Sequence, residues 1–153
     1  MKSRAIYIVL PALVISLIIA ACGDKDKNPT GSQNSIPSEL LGVWIYQSAT
    51  INGVPISLAL ILGWEVGTVS ARFTVGEDGS FVNEELNANN EVVWTENGTL
   101  AVTGDSAIIA VTSNNNGPID PPDTLAGTWQ LNGNLLALTT IYNQATVVLT
   151  AGR

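Results

Sequence analysis

Two stretches of strict alternation constrain this chain more than anything else in it. Val69, Ala71, Phe73 and Val75 alternate with Ser70, Arg72 and Thr74, and Leu125, Gly127, Trp129 and Leu131 alternate with Ala126, Thr128, Gln130 and Asn132. A side-chain period of two belongs to a strand with one face buried and the other wet. Residues 41–45, 92–102, 107–111, 135–141 and 145–149 are rich in β-formers, and 81–86 reads as a weaker strand because Asn83, Glu84 and Glu85 dilute its pattern. Glu77-Asp78-Gly79, residues 87–90, Gly104-Asp105 and Asn132-Gly133-Asn134 separate these runs with residues that tolerate positive φ, as tight hairpins require. Residues 114–123 hold Gly117, Pro118, Pro121 and Pro122 and read as a surface loop. The expectation is an all-β domain of eight antiparallel strands in sequential hairpin order. Such strands can close into an up-and-down β-barrel, which removes exposed edges. The same strands also suit a two-layer β-sandwich.

One segment breaks the rhythm. Residues 51–67 are the most apolar part of the chain beyond its N-terminus and show no alternation. They read as a short helix or lid-like crossover between the first two strands. Leu60, Leu62 and Trp64 lie there and are the candidates for a lid or ligand contact, because so much apolar surface must be buried or cover something.

The N-terminus has three zones. Lys2 and Arg4 are positive, residues 5–19 are apolar, and Ala20 and Ala21 are small residues before Cys22. The apolar run is short for a membrane span, which needs about 20 residues. Ile19-Ala20-Ala21-Cys22 resembles the lipobox of bacterial lipoproteins at all four positions. That resemblance implies a signal peptide over 1–21, cleavage, acylation of Cys22, and attachment to the membrane through the lipid. Each buried methylene contributes about 0.8 kcal/mol, so two or more chains anchor durably. Gly23 stands where aspartate would be an inner-membrane retention signal in some diderm bacteria, so the resemblance points to the outer membrane. Residues 22–38 are polar apart from Ile36 and read as the lipidated cysteine and a disordered tether. Residues 39–153 are then the barrel domain.

Composition excludes several functions. Loss of Lys2 and Arg4 with the signal peptide takes the net charge from −7 to −9. Beyond the tether only Arg72 and Arg153 are basic, which argues against a nucleic-acid partner. There is no histidine, and the single cysteine is assigned to acylation. Disulfides, cysteine-ligated metals, Ser-His-Asp triads and Cys-His dyads are therefore excluded by counting. No cofactor is implied, and an enzyme is not expected.

Within the domain a second family comes into view. Leu40-Leu41-Gly42-Val43-Trp44 resembles the Gly-x-Trp opening of lipocalin-like domains. The run from Arg72 to Phe81, Gly98 to Asp105, and Gly127 to Leu135 resembles their later strand-turn-strand phrases. The resemblance covers nearly the whole domain and implies that Gly42, Trp44 and Arg153 form the closed barrel end, the arginine lying over the tryptophan. The chain departs from secreted lipocalins in its length, its lack of disulfides and the absence of an obvious C-terminal helix.

Other residues have plainer readings. Trp94 and Trp129 fall on apolar strand faces and are expected in the core. Glu96 shares the parity of Trp94 and Leu100, and a bulge at Glu96-Asn97-Gly98 is expected to turn it to solvent, because a buried carboxylate is costly. Glu77, Asp78, Glu84 and Glu85 read as a solvated face. Asp120 and Asp123 could share a calcium ion, but two loop carboxylates are ordinarily just solvated. The expected function is a non-catalytic binding module for a small apolar ligand. The alternative is an interaction or inhibitor module with a solid core, binding an envelope protein through its loops.

Overall fold

The computed structural model describes residues 35–153, so the expected signal peptide, Cys22 and the tether as far as residue 34 lie outside the described residues. Nine strands follow a 3-10 turn at Ser38–Leu40: β1 (Gly42–Ile51), β2 (Val54–Ile56), β3 (Ser70–Val75), β4 (Ser80–Leu86), β5 (Val92–Thr103), β6 (Ser106–Asn114), β7 (Gly117–Asn132), β8 (Leu135–Tyr142) and β9 (Ala145–Gly152). A five-residue helix, α1 (Leu58–Leu62), stands between β2 and β3. Strands β3 to β9 pair antiparallel in chain order, and β1 pairs with both β3 and β9. That last ladder closes an eight-stranded up-and-down barrel, with β2 as an extra strand on β1. It is not a sandwich.

Turn chemistry sets the hairpins. Gly79, Gly104 and Gly133 adopt positive φ at three of the expected turns. Asn52 and Gly53, at φ 50° and 79°, form the two-residue turn from β1 to β2. Asn52 also ties the barrel shut at this end. Its N–H donates to the Thr146 carbonyl at 2.8 Å, and its Oδ1 accepts from the Thr146 N–H at 2.9 Å.

Two expectations fail for local reasons. The tether ends earlier than residue 38, because Ile36 is buried in the main core beside Leu40 and Trp44. The segment at 114–123 is not a free loop, since β7 begins at Gly117 and pairs there with β6. Its prolines are tolerated because Ser113 pairs with Pro118 and Val111 with Asp123, leaving residues 119–122 opposite Thr112 alone. The crossover does hold the expected short helix, α1, preceded by the unexpected strand β2.

The core is polarised along the barrel. At the end where β1 starts, Trp44, Phe73, Val75, Phe81, Leu100, Val102 and Leu136 are all buried. Phe73 is the centre of an aromatic group, with ring centroids 6.5 Å from Trp44, 5.2 Å from Tyr46 and 5.7 Å from Phe81. The opposite end carries the crossover and is open. Leu125 lines the cavity described below yet is 39 % exposed, so water reaches the upper interior.

Candidate functional site

The closed end brings Trp44 and Arg153 together. The Trp44 ring is fully buried, and its Nε1 donates to the Leu40 carbonyl at 2.9 Å. The Arg153 guanidinium lies 4.6 Å from the ring centroid and donates from Nη1 to the Leu41 carbonyl at 3.2 Å. Gly42 opens β1 at φ 105°, a conformation that suits glycine. Trp44 and Arg153 thus form the plug of the barrel, with Gly42 at its edge.

The open half is chemically divided. On β4, Phe81, Asn83 and Glu85 pair with Val75, Phe73 and Ala71, all of which are buried, so all three share the inner face. Glu85 is only 4 % exposed, which corrects its reading as part of a solvated surface. Its Oε2 accepts from the Glu65 backbone N–H at 2.8 Å and from the Thr68 hydroxyl at 2.7 Å. These bonds offset the desolvation of the carboxylate and latch the crossover to the barrel wall. Glu84, on the outer face, pairs with Arg72 at 2.7 Å.

Glu96 pairs with Asn83 and so shares the inward parity, though it is only half-buried. A bulge does occur beside it, but the extra residue is Thr112 on β6, opposite the Asn97–Gly98 step. The parity of β5 is therefore kept through Glu96. Gly98 permits the close approach, since a Cβ there would run into the Ala110 carbonyl oxygen. Glu96 Oε2 accepts from Asn83 Nδ2 at 3.1 Å and Oε1 from Trp94 Nε1 at 3.4 Å. Burial pushes the Tyr46 hydroxyl pKa well above its ordinary value, and the Glu96 carboxylate pushes it further the same way. Tyr46 thus stays a neutral donor. Among the described residues two buried side-chain polar atoms lack a partner, Asn83 Oδ1 and Trp64 Nε1, one on this wall and one in the crossover.

The facing wall is apolar. In the order of the closed barrel, β8 and β9 stand across from β4 and β5. A cavity of about 20 Å³ lies against β6 to β9, lined by Ala107, Ile109, Leu125, Leu138, Thr140 and Leu149, among others. Gly127 contributes no side chain, which leaves the space open, and its backbone lies tight against the Thr139 carbonyl. That volume holds one or two waters, not an organic molecule.

Of the expected lid residues, Leu60 is 72 % exposed, whereas Leu62 and Trp64 are half-buried. Trp94 and Trp129 are half-buried rather than fully enclosed. No group of three or more acidic or thiol side chains suited to a metal occurs among the described residues, and Asp120 and Asp123 lie on an exposed stretch of β7. Asp78 is a turn residue: the Ser80 hydroxyl and then its backbone N–H hold the carboxyl below the usual carboxylate range.

The barrel fits a lipocalin-like fold. No family model matches the chain, and no curated protein matches it. Nine solved chains do match. One of them is described as "REP1-NXSQ fatty acid transporter", with 10% sequence identity, coverage of 76% of this chain and 97% of that chain, and a TM-score of 0.41. At that score the likeness says nothing about what the present chain binds.

Proposed function

We propose that this chain is an envelope lipoprotein, held by acylated Cys22 in the outer membrane, whose lipocalin-like barrel is a non-catalytic binding module for a small, largely apolar ligand. One observation carries the ligand reading. Asn83 Oδ1, on the inner face of β4, and Trp64 Nε1, in the crossover, are both buried without a partner. A buried polar atom without a partner costs about 1–3 kcal/mol, so it marks a place where another molecule restores a hydrogen bond. The lipid reading rests on the Ile19-Ala20-Ala21-Cys22 pattern.

Ligand binding is tested by native mass spectrometry of protein purified from its own host. A reproducible adduct of small-molecule mass supports the reading, and bare protein in every preparation sinks it. Anchoring is tested by radiolabelled palmitate, which should enter the native chain and not Cys22→Ala.

A second reading has its own support. The 20 Å³ cavity and the filled closed end favour a solid core, so the barrel would act on an envelope protein through its loops. Pull-downs comparing the native chain with a variant lacking the unpaired residues 119–122 decide it. Loss of a partner on deletion supports this reading, and an unchanged set of partners counts against it.

A further inference from the structure

Resting on the lipoprotein reading above, we propose that the apolar rim at the open end of the barrel, carried by Val54, Leu60, Val66, Val69, Ile141 and Tyr142, dips into the bilayer that holds acylated Cys22.

Exposed apolar side chains are not spread evenly over this barrel. The five most exposed large aliphatics among the described residues are Val54, Leu60, Val66, Val69 and Ile141, and Val66 is wholly in water. All five belong to the open half. Val54 follows the β1–β2 turn, Leu60 lies in α1, Val66 and Val69 stand between α1 and β3, and Ile141 nears the end of β8. The two hairpins are neighbours, because Asn52 bonds to Thr146 and Thr146 pairs with Ile141. The Val69 N–H donates to the Leu86 carbonyl at 2.9 Å, which sets Val69 beside the last residue of β4. Single exposed aliphatics need no explanation, but a set gathered at one end of a domain marks a contact surface.

The chemistry of the rim selects the partner. Tyr142, half-exposed at the end of β8, joins an apolar ring to a hydroxyl, as side chains at a membrane interface do. The turn tips are neutral amides, Asn52, Asn143 and Gln144. The two cations of the domain are engaged elsewhere, Arg72 on Glu84 and Arg153 on Trp44, while Glu65 and Glu91 are exposed in the open half. A strongly anionic surface is therefore disfavoured, and a zwitterionic lipid surface fits.

Chain length permits the contact. The chain enters at the closed end, where Ile36 is buried beside Leu40 and Trp44. The thirteen residues 22–34 reach about 43–47 Å at full extension. The ten residues of β1 cover about 33 Å along the strand, and less along the axis of a tilted barrel. Cys22 and the rim can thus meet one bilayer. The tether keeps that bilayer at high effective concentration, so a contact too weak for a free protein persists.

The test uses the acylated full chain in phosphatidylcholine vesicles. Acylation consumes the Cys22 sulfur, so Val66→Cys introduces the one free thiol, and Asp105→Cys does the same at the closed end. Each is labelled with a polarity-sensitive dye, and a nitroxide-bearing phosphatidylcholine is the quencher. Quenching at position 66 should be at least about threefold stronger than at position 105. Val54→Asp combined with Ile141→Asp, both at exposed sites, should return position 66 to the level of 105, which separates contact driven by the protein from partition of the dye. Equal quenching at the two positions, stronger quenching at 105, or a signal at 66 unmoved by the two aspartates overturns the proposal. So does a blue shift at 66 without lipid quenching, which means that the rim meets another copy of the chain. Mass spectrometry of Cys22 separates the two readings. An acylated chain whose rim stays in water loses only the rim contact, whereas an unacylated Cys22 removes both.

Discussion

Single side chains at the two ends of the barrel do opposite things. Trp44 is wholly enclosed, stacks near Phe73 and has its one polar atom satisfied, so it is structural. Trp44→Ala should cost about 3–5 kcal/mol, as truncations of buried aromatics do. Arg153→Ala removes a solvent-facing cation from the ring and an exposed hydrogen bond to the Leu41 carbonyl, and should cost about 0.5–1.5 kcal/mol. Urea denaturation of the two variants gives both numbers, and similar losses would contradict this division. Tyr46 makes a different prediction. In the unfolded chain its hydroxyl ionises near 10.0, whereas in the barrel burial and Glu96 keep the proton on. The unfolded state therefore releases a proton first, and stability that is fully present below that value is lost as pH rises past it. The slope is about 1.4 kcal/mol per pH unit for one group. Tyr46→Phe should flatten this part of the stability profile between pH 10 and the onset of alkaline unfolding, and an unaltered slope would refute the account.

Among the elements, the crossover is the one whose placement depends on a single distant side chain. Glu85 reaches it from β4 and holds the Glu65 N–H and the Thr68 hydroxyl. Glu85→Ala leaves both donors without that acceptor. Hydrogen exchange should then report protection at the Glu65 amide lower by roughly tenfold or more, with the β5–β6–β7 amides unaffected. Uniform loss across the sheet would mean that Glu85 supports the whole barrel instead. This latch was hidden in the sequence because Asn83, Glu84 and Glu85 together look like a solvated edge. Their alternation is visible only once Ala71 and Phe73 are known to lie beside them. β2 was more accessible: Asn52-Gly53 is a strong two-residue hairpin signal, and the apolar run after it holds both β2 and the short helix α1. The extension of β7 ran against the rule that prolines avoid strands, and it survives because the pairing skips the residues where they cluster.

For the molecule as a whole, closure rests on a ladder between the first and last strands. Ile45 pairs with Gly152 and Ile51 with Val147 across almost the full length of the domain. Contacts so far apart in the chain repay their loop-closure entropy only late, so folding is expected to be slow for a domain of this size. Ending the chain at Val148 removes Leu149 and Ala151 from the core and four of the six pairs of the closing ladder. Losing that much from a domain stabilised by about 5–15 kcal/mol should abolish the cooperative thermal transition. A retained sharp transition would show that the β1–β9 ladder is dispensable.

What the sequence determined by itself is local: alternating side chains make strands, Gly and Asn pairs make turns, and the absence of histidine and spare cations removes whole classes of chemistry. Those features depend on neighbours a few residues apart. The direction of Glu96 and Glu85, the position of Arg153 over Trp44 and the division of the lumen into polar and apolar walls were settled only in the tertiary structure. A bulge in a partner strand, a register between distant strands and the closing of the ring decide which face is inside, and none of these is written in the residues that they reorient.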